Sequence, residues 1–159
     1  MENEKTKAMR RNLKHTENLQ ILTSNYIGNL AYISGASPYI VPMTYYYDRE
    51  SHTITSYSSE GHKIAAMRKN NAVAFIVNQI ETVADWQTVQ VLGTFEELKG
   101  IDAKHMLHKF SEGIKDILSR TERTDAKYIS DFSAKIESED SPLVFRINIS
   151  EITGKKRES

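Results

Sequence analysis

Ser56-Tyr57-Ser58-Ser59-Glu60-Gly61-His62-Lys63 is the stretch from which both fold and function can be approached. It predicts a β-strand ending in small hydroxyl residues, then a turn into a short amphipathic helix over about 60–70, with His62 and Lys63 in its first turn. The N-terminal end of a helix is electropositive, so a cation there costs about 0.3–1 kcal/mol unless an anion sits beside it. Free backbone N–H groups, Ser hydroxyls, an imidazole and an ammonium converging on one helix start suit a phosphate monoester. The alternative makes Lys63 a solvated surface residue and His62 an accident of the helix start. At this point both stand.

Upstream, residues 52–57 predict the strand that delivers Ser56 to Ser59, after a turn over 48–51. Residues 39–48 form a further strand, with Val41, Met43, Tyr45 and Tyr47 on one face and Ile40, Pro42, Thr44 and Tyr46 on the other. Both faces are largely apolar, which predicts cover on both sides. Pro42 cannot donate a ladder hydrogen bond and belongs at an edge, a bulge or a split in the sheet. An interrupted ladder there leaves backbone groups of Met43, Thr44 and Tyr45 for a planar polar ligand; a kinked strand with nothing bound is the alternative. The strand pairs as a hairpin with residues 27–33 through the turn at 34–38, and a short helix capped by Thr16 carries Leu19, Leu22 and Tyr26.

Downstream, the helix after Gly61 is expected to bury Ile64, Ala65 and Met67 and to show Arg68 and Lys69 to water. The apolar run 72–77 predicts a strand covered on both faces, 78–85 a polar connection, and 86–98 a long strand with a bulge or bend at Gly93. Ala103, Met106, Leu107, Phe110, Ile114, Ile117 and Leu118 form a helical stripe suited to the core or to a dimer surface. A weaker helix over 125–136 and a last strand over 143–149 complete the pattern. Such strands are antiparallel in character, and closing them into a barrel removes exposed edges.

Composition narrows the function classes. The 159 residues predict a single domain, 1–159, with a frayed, charged segment over 1–15. The sequence contains no Cys, which excludes disulfides, thiolate metal sites and cysteine nucleophiles. Lys+Arg and Asp+Glu both number 21, so no nucleic-acid or acidic-membrane partner is expected, and the basic cluster 155–157 is read as solvated. Neither a leader-type apolar run nor a membrane span is apparent, so a soluble, cytoplasmic protein is expected. His105 and His108 share a helix face, but nothing at a suitable spacing completes a metal site. No P-loop, GxGxxG, GxSxG elbow or paired-carboxylate pattern is present, so no catalytic residue is assigned. Trp86, the only Trp, is either a core residue or a ring that covers a flat cofactor.

Four motifs in this order and at these separations, Ile27-Gly28-Asn29-Leu30-Ala31, Pro38-Tyr39-Ile40-Val41-Pro42, Ser58-Ser59-Glu60-Gly61-His62-Lys63 and Trp86-Gln87-Thr88-Val89-Gln90-Val91-Leu92-Gly93, resemble the pyridoxamine-5'-phosphate-oxidase-like superfamily of FMN-binding split barrels, in particular its small members related to nitroimidazole-resistance proteins. The resemblance implies a mostly β fold with flanking helices, an antiparallel split β-barrel of Greek-key type, assembled as a homodimer with FMN in clefts between subunits. By that resemblance Met43, Thr44 and Tyr45 run along the isoalloxazine edge, and Ser56, Tyr57 and Ser58 meet the ribityl chain or phosphate. Lys63 with His62 pairs with the phosphate, and Trp86, Gln87 and Thr88 approach from the partner subunit. Many relatives carry Arg where this chain has His62. The C-terminal Arg/Trp segment of true pyridoxamine phosphate oxidases has no equivalent after Leu143, so vitamin B6 oxidation is not expected. The implied function is flavin-dependent electron or hydride transfer to a small acceptor, and the alternative is a non-catalytic flavin- or haem-binding dimer for storage, delivery or sensing.

Overall fold

The computed structural model describes residues 10–121 and 142–159. Eight strands among these residues, β1 Arg10–Asn12, β2 Ile27–Ser34, β3 Ser37–Thr44, β4 Tyr46–Asp48, β5 Thr53–Ser58, β6 Ala72–Thr82, β7 Asp85–Leu98 and β8 Leu143–Arg157, form one sheet. Helix α1 spans His15–Ser24, α2 His62–Lys69 and α3 Gly100–Thr121. The strand order is β3-β2-β6-β7-β8-β5-β4, with β1 on β8 and every ladder antiparallel. The two end strands, β3 and β4, are consecutive in the chain and separated by Tyr45 alone. The sheet therefore curls until its opposite ends lie one residue apart.

The main core fills that curl. Tyr45, Phe75, Phe145, Leu22, Leu30, Ile54, Ile64, Met67 and Ile147 are fully buried in it. A second cluster, Phe110, Ile114 and Leu118 with Tyr26, Tyr46, Tyr57 and Leu107, seats the apolar stripe of α3 on the sheet. No helix among the described residues is long and apolar enough to cross a membrane.

Several expectations are corrected. The single strand over 39–48 is two strands, and the break falls at Tyr45 rather than Pro42, which stays in register opposite Asn29. β3 is an edge strand, so Pro42 lacks only a bond that no neighbour would accept. Among the described residues, β3 is not covered on both faces: Ile40 is 71 % exposed and Tyr39 42 %. In β6, Val73, Phe75 and Val77 are buried while the alternate residues are not, and the strand runs on to Thr82, leaving a turn at 83–84 in place of a long connection. Ala66, not Ala65, faces the core from α2. Thr16 lies inside α1; the Lys14 N–H donates instead to Glu17 Oε1 at 3.0 Å, a side-chain acceptor reaching back over the first turn. Arg11 grips the same carboxylate at 2.9 and 2.8 Å, and together these hold it down to about 2. The clusters read as frayed are partly sheet: Arg10–Asn12 and Lys155–Arg157 pair with each other, and 155–157 also pair with 86–88 of β7. Ladders on both sides satisfy that backbone, which outweighs its charged composition. The weak helix over 125–136 lies outside the described residues.

The bulge at Gly93 is present. Leu92 is opposite Glu151 and Gly93 opposite Ile149, so Ser150 is the extra residue, and its hydroxyl donates to the Leu92 carbonyl at 2.9 Å.

Candidate functional site

The start of α2 carries both forecast cations, but the helix begins at His62 rather than near Glu60. No side chain caps it, its first turn holds no acid, His62 is exposed and Lys63 half-buried. The nearest acid in sequence, Glu60, is engaged: Arg68 donates to its two oxygens at 2.9 and 2.7 Å and to both oxygens of Glu97 at 3.0 and 2.8 Å. That bridge ties the 59–61 loop to the end of β7 and holds the Glu97 carboxyl below its usual range. Among the described residues, Lys63 forms no ion pair.

His62 is held from one side. Its Nδ1 lies 2.9 Å from the Tyr32 hydroxyl, and its ring packs edge-on to Tyr39 at 4.8 Å. Sequence reasoning missed both tyrosines. The signal was there in principle, because the tight turn at 35–36 makes Tyr32 and Tyr39 direct cross-strand partners, but nothing local ties that pair to His62.

The remaining expected residues divide. Ser56 is buried and donates to the Thr44 carbonyl at 2.7 Å, while the Tyr45 N–H donates to the Tyr26 carbonyl at 2.8 Å. Three of the groups foreseen for a ring and ribityl chain, the Ser56 hydroxyl, the Thr44 carbonyl and the Tyr45 N–H, are thus already bonded to protein. Tyr45 itself is core: its hydroxyl donates to the Leu22 carbonyl at 2.8 Å, and burial pushes its ionisation up. Tyr57 alternates away from Ser56 and Ser58, and its ring packs on Phe110 of α3. Met43 and Ser58 are half-buried, and Ser58 Oγ donates only to the neighbouring Ser59 carbonyl at 2.9 Å.

Trp86, Gln87 and Thr88 sit at the other end of β7. On the order of 30 Å of strand separates Trp86 from Glu97, the residue that Arg68 ties to the 59–61 loop. The three do not share a face either: Gln87 bonds to Gln79 on the side of Val77 and Val89, whereas Thr88 donates to Asn78 at 2.6 Å on the opposite side, which Trp86 shares. The side with Trp86 is apolar and open, with Ile33, Ile40, Ile80 and Leu92 exposed across β2, β3, β6 and β7.

A separate open cleft of about 520 Å³ lies between α3, the β4–β5 turn and the ends of β7 and β8. Several of its charges are matched across it, with Arg146 on Glu96 at 2.6 Å and Lys109 on Asp48 and Glu50 at 3.3 and 3.0 Å. His105 lines it, but among the described residues no three His, Cys, Asp or Glu side chains converge as a metal site.

Residues 14–156 match the family model described as pyridoxamine 5'-phosphate oxidase. The chain belongs to this family. The chain is also similar to an FAD-binding protein from Mesorhizobium loti, with 28 % identity, a TM-score of 0.72 and coverage of 94 % of this chain and 98 % of that one. A protein assigned to 5-nitroimidazole antibiotic resistance in Bacteroides thetaiotaomicron VPI-5482 shares the fold at a TM-score of 0.60 and 15 % identity, over 92 % and 87 % of the two chains. An uncharacterised protein of Rhizobium meliloti (strain 1021) is 28 % identical over 85 residues, which is 54 % of this chain and 55 % of that one. The chain thus spans about half the length of the curated relative that it matches. The antiparallel sheet with its flanking helices is the fold that this member of the pyridoxamine 5'-phosphate oxidase family shares with those structures.

Proposed function

We propose that this chain binds a flavin through its FMN portion, with the phosphate at the start of α2, and serves as an oxidoreductase toward a small acceptor. The observation that carries the reading is the uncapped α2 start, where Lys63 has no acid in its first turn and no ion pair among the described residues. The Mesorhizobium loti relative, an FAD-binding protein, supports a flavin as the ligand.

The residues fit such a group in part. Lys63 supplies a charge-assisted contact to the phosphate, Ser58 a hydroxyl, and first-turn N–H groups the remaining donors. With Nδ1 turned to Tyr32, His62 offers Nε2 as its remaining polar atom. Met43 and the outer edge of β3 line the position of the ring, while Thr44 and Tyr45 act by shaping the strand, since Ser56 and Tyr26 occupy their groups. A bound flavin supplies the hydride or electron transfer, and the protein sets its orientation and solvent exposure. Trp86 and Thr88 reach the site of another copy only in a homodimer, which the open apolar side around Ile40 and Leu92 supports.

The test is titration of the purified protein with FMN, followed by visible absorbance and flavin fluorescence. Lys63→Ala should weaken binding about 10- to 100-fold, corresponding to the ~1.5–3 kcal/mol of a hydrogen bond to a charged group. Colourless protein that gains no flavin spectrum refutes the reading. Unchanged affinity in Lys63→Ala moves the phosphate elsewhere.

A further inference from the structure

Beside the phosphate position, the edge of the sheet carries an aromatic stack that holds His62 and extends past it. Tyr32 on β2 and Tyr39 on β3 face each other across the hairpin, with ring centroids 5.5 Å apart and planes within 11°. Tyr32 is buried, whereas Tyr39 is 42 % exposed, so the inner ring supports an outer ring that water still reaches. His62 braces both, with its ring 4.8 Å from Tyr39 and its Nδ1 2.9 Å from the Tyr32 hydroxyl. The outer ring is thereby fixed in place before any ligand arrives, which cuts the ordering cost of stacking on it.

Its position relative to the phosphate is what identifies an occupant. Met43, Val41 and Tyr39 fall on one face of β3, opposite Gly28, Leu30 and Tyr32. The strand therefore passes from the ring position at Met43 to the start of α2, and Tyr39 stands at that far end against His62. A mononucleotide ends at its phosphate. A dinucleotide continues through a second phosphate, next to Lys63 and His62, to a flat purine with a π-face that stacks on an aromatic ring.

We propose that Tyr39, backed by Tyr32 and braced by His62, is the platform for the adenine of a dinucleotide flavin, so that this chain prefers FAD to FMN. The proposal rests on the flavin reading above. It adds a subsite on the protein's own edge strand.

Full-length protein stripped of flavin is titrated with FAD and separately with FMN, as wild type, Tyr39→Ala and Tyr39→Phe, with circular dichroism and sedimentation run on each. Wild type should bind FAD about tenfold or more tighter than FMN. Tyr39→Ala should lose most of that preference because FAD affinity falls much further than FMN affinity, which drops only as far as His62 loosens, and Tyr39→Phe should retain it. Equal wild-type affinities for the two flavins, or a preference that survives Tyr39→Ala, overturn the platform and leave the flavin reading standing. If neither flavin binds, both fall. Should Tyr39→Ala turn a dimer into a monomer and weaken both flavins alike, a second copy covers the ring and the platform is refuted. The wild-type ratio decides the matter even if the alanine variant folds poorly.

Discussion

Gly93→Ala is the sharpest test of how the sheet holds its curl. A Cβ added at Gly93 would stand 2.3 Å from the Asn148 carbonyl oxygen and 2.8 Å from Ile147 Cγ2, where an ordinary contact needs about 3.4–4 Å. The near atom is backbone, and β8 cannot retreat, because β5 is paired on its other side over 53–58. β7 is likewise pinned by β6. Overpacking of this kind costs about 1–3 kcal/mol, and a distorted ladder hydrogen bond adds about 1. Against that, removing a strand glycine returns about 0.5–1 kcal/mol of backbone entropy. The net is a loss of about 2 kcal/mol. In urea unfolding at fixed protein concentration the midpoint should fall by roughly 1 M, and in calorimetry the Tm by about 4–8 °C. A variant within about 0.5 kcal/mol of wild type would mean that the bulge at Ser150 slides to make room, and the argument that Gly93 is sterically required would be wrong.

Other outcomes follow from the same geometry. Arg146 and Asn148 hold the Glu96 carboxyl below its usual 4.5, so this group stabilises the fold fully above that pH and loses its contribution as pH falls through the lower folded value. The Tm should therefore drop on acidification from about pH 5 to 3, and Glu96→Gln should flatten that drop; an unchanged slope in calorimetric scans refutes the assignment. Ile40→Asp puts a charge on a side chain that is 71 % exposed in the single chain. With the proposed homodimer formed through this side, it should leave the chain folded yet shift sedimentation from dimer to monomer; an unchanged dimer would place the interface on another face, and a monomeric wild type would refute the pairing.

Much of this protein was legible in the linear chain because it depends on local rules. The hairpin from Ile27, the bulge at Gly93, the stripe of α3 and the cation-bearing start of α2 are all set by alternation, glycine or helix position, and the structure has each of them. Apolar content alone could not say whether a face is covered: residues 39–44 and 72–77 look alike as strings, yet the first is an open edge and the second lies inside the sheet. That difference arises from strand order, which is decided by pairings between residues far apart in sequence. The same holds for the site. Lys63 at an uncapped helix start is a property of eight consecutive residues, whereas the Tyr32–His62 contact joins residues 30 apart, and the distance between Trp86 and the 59–61 loop depends on where β7 lies in the sheet. Short-range pattern determined where an anion is wanted. Only the tertiary structure could show what stands beside it, because a ring stack and a curled edge exist only after distant segments have met.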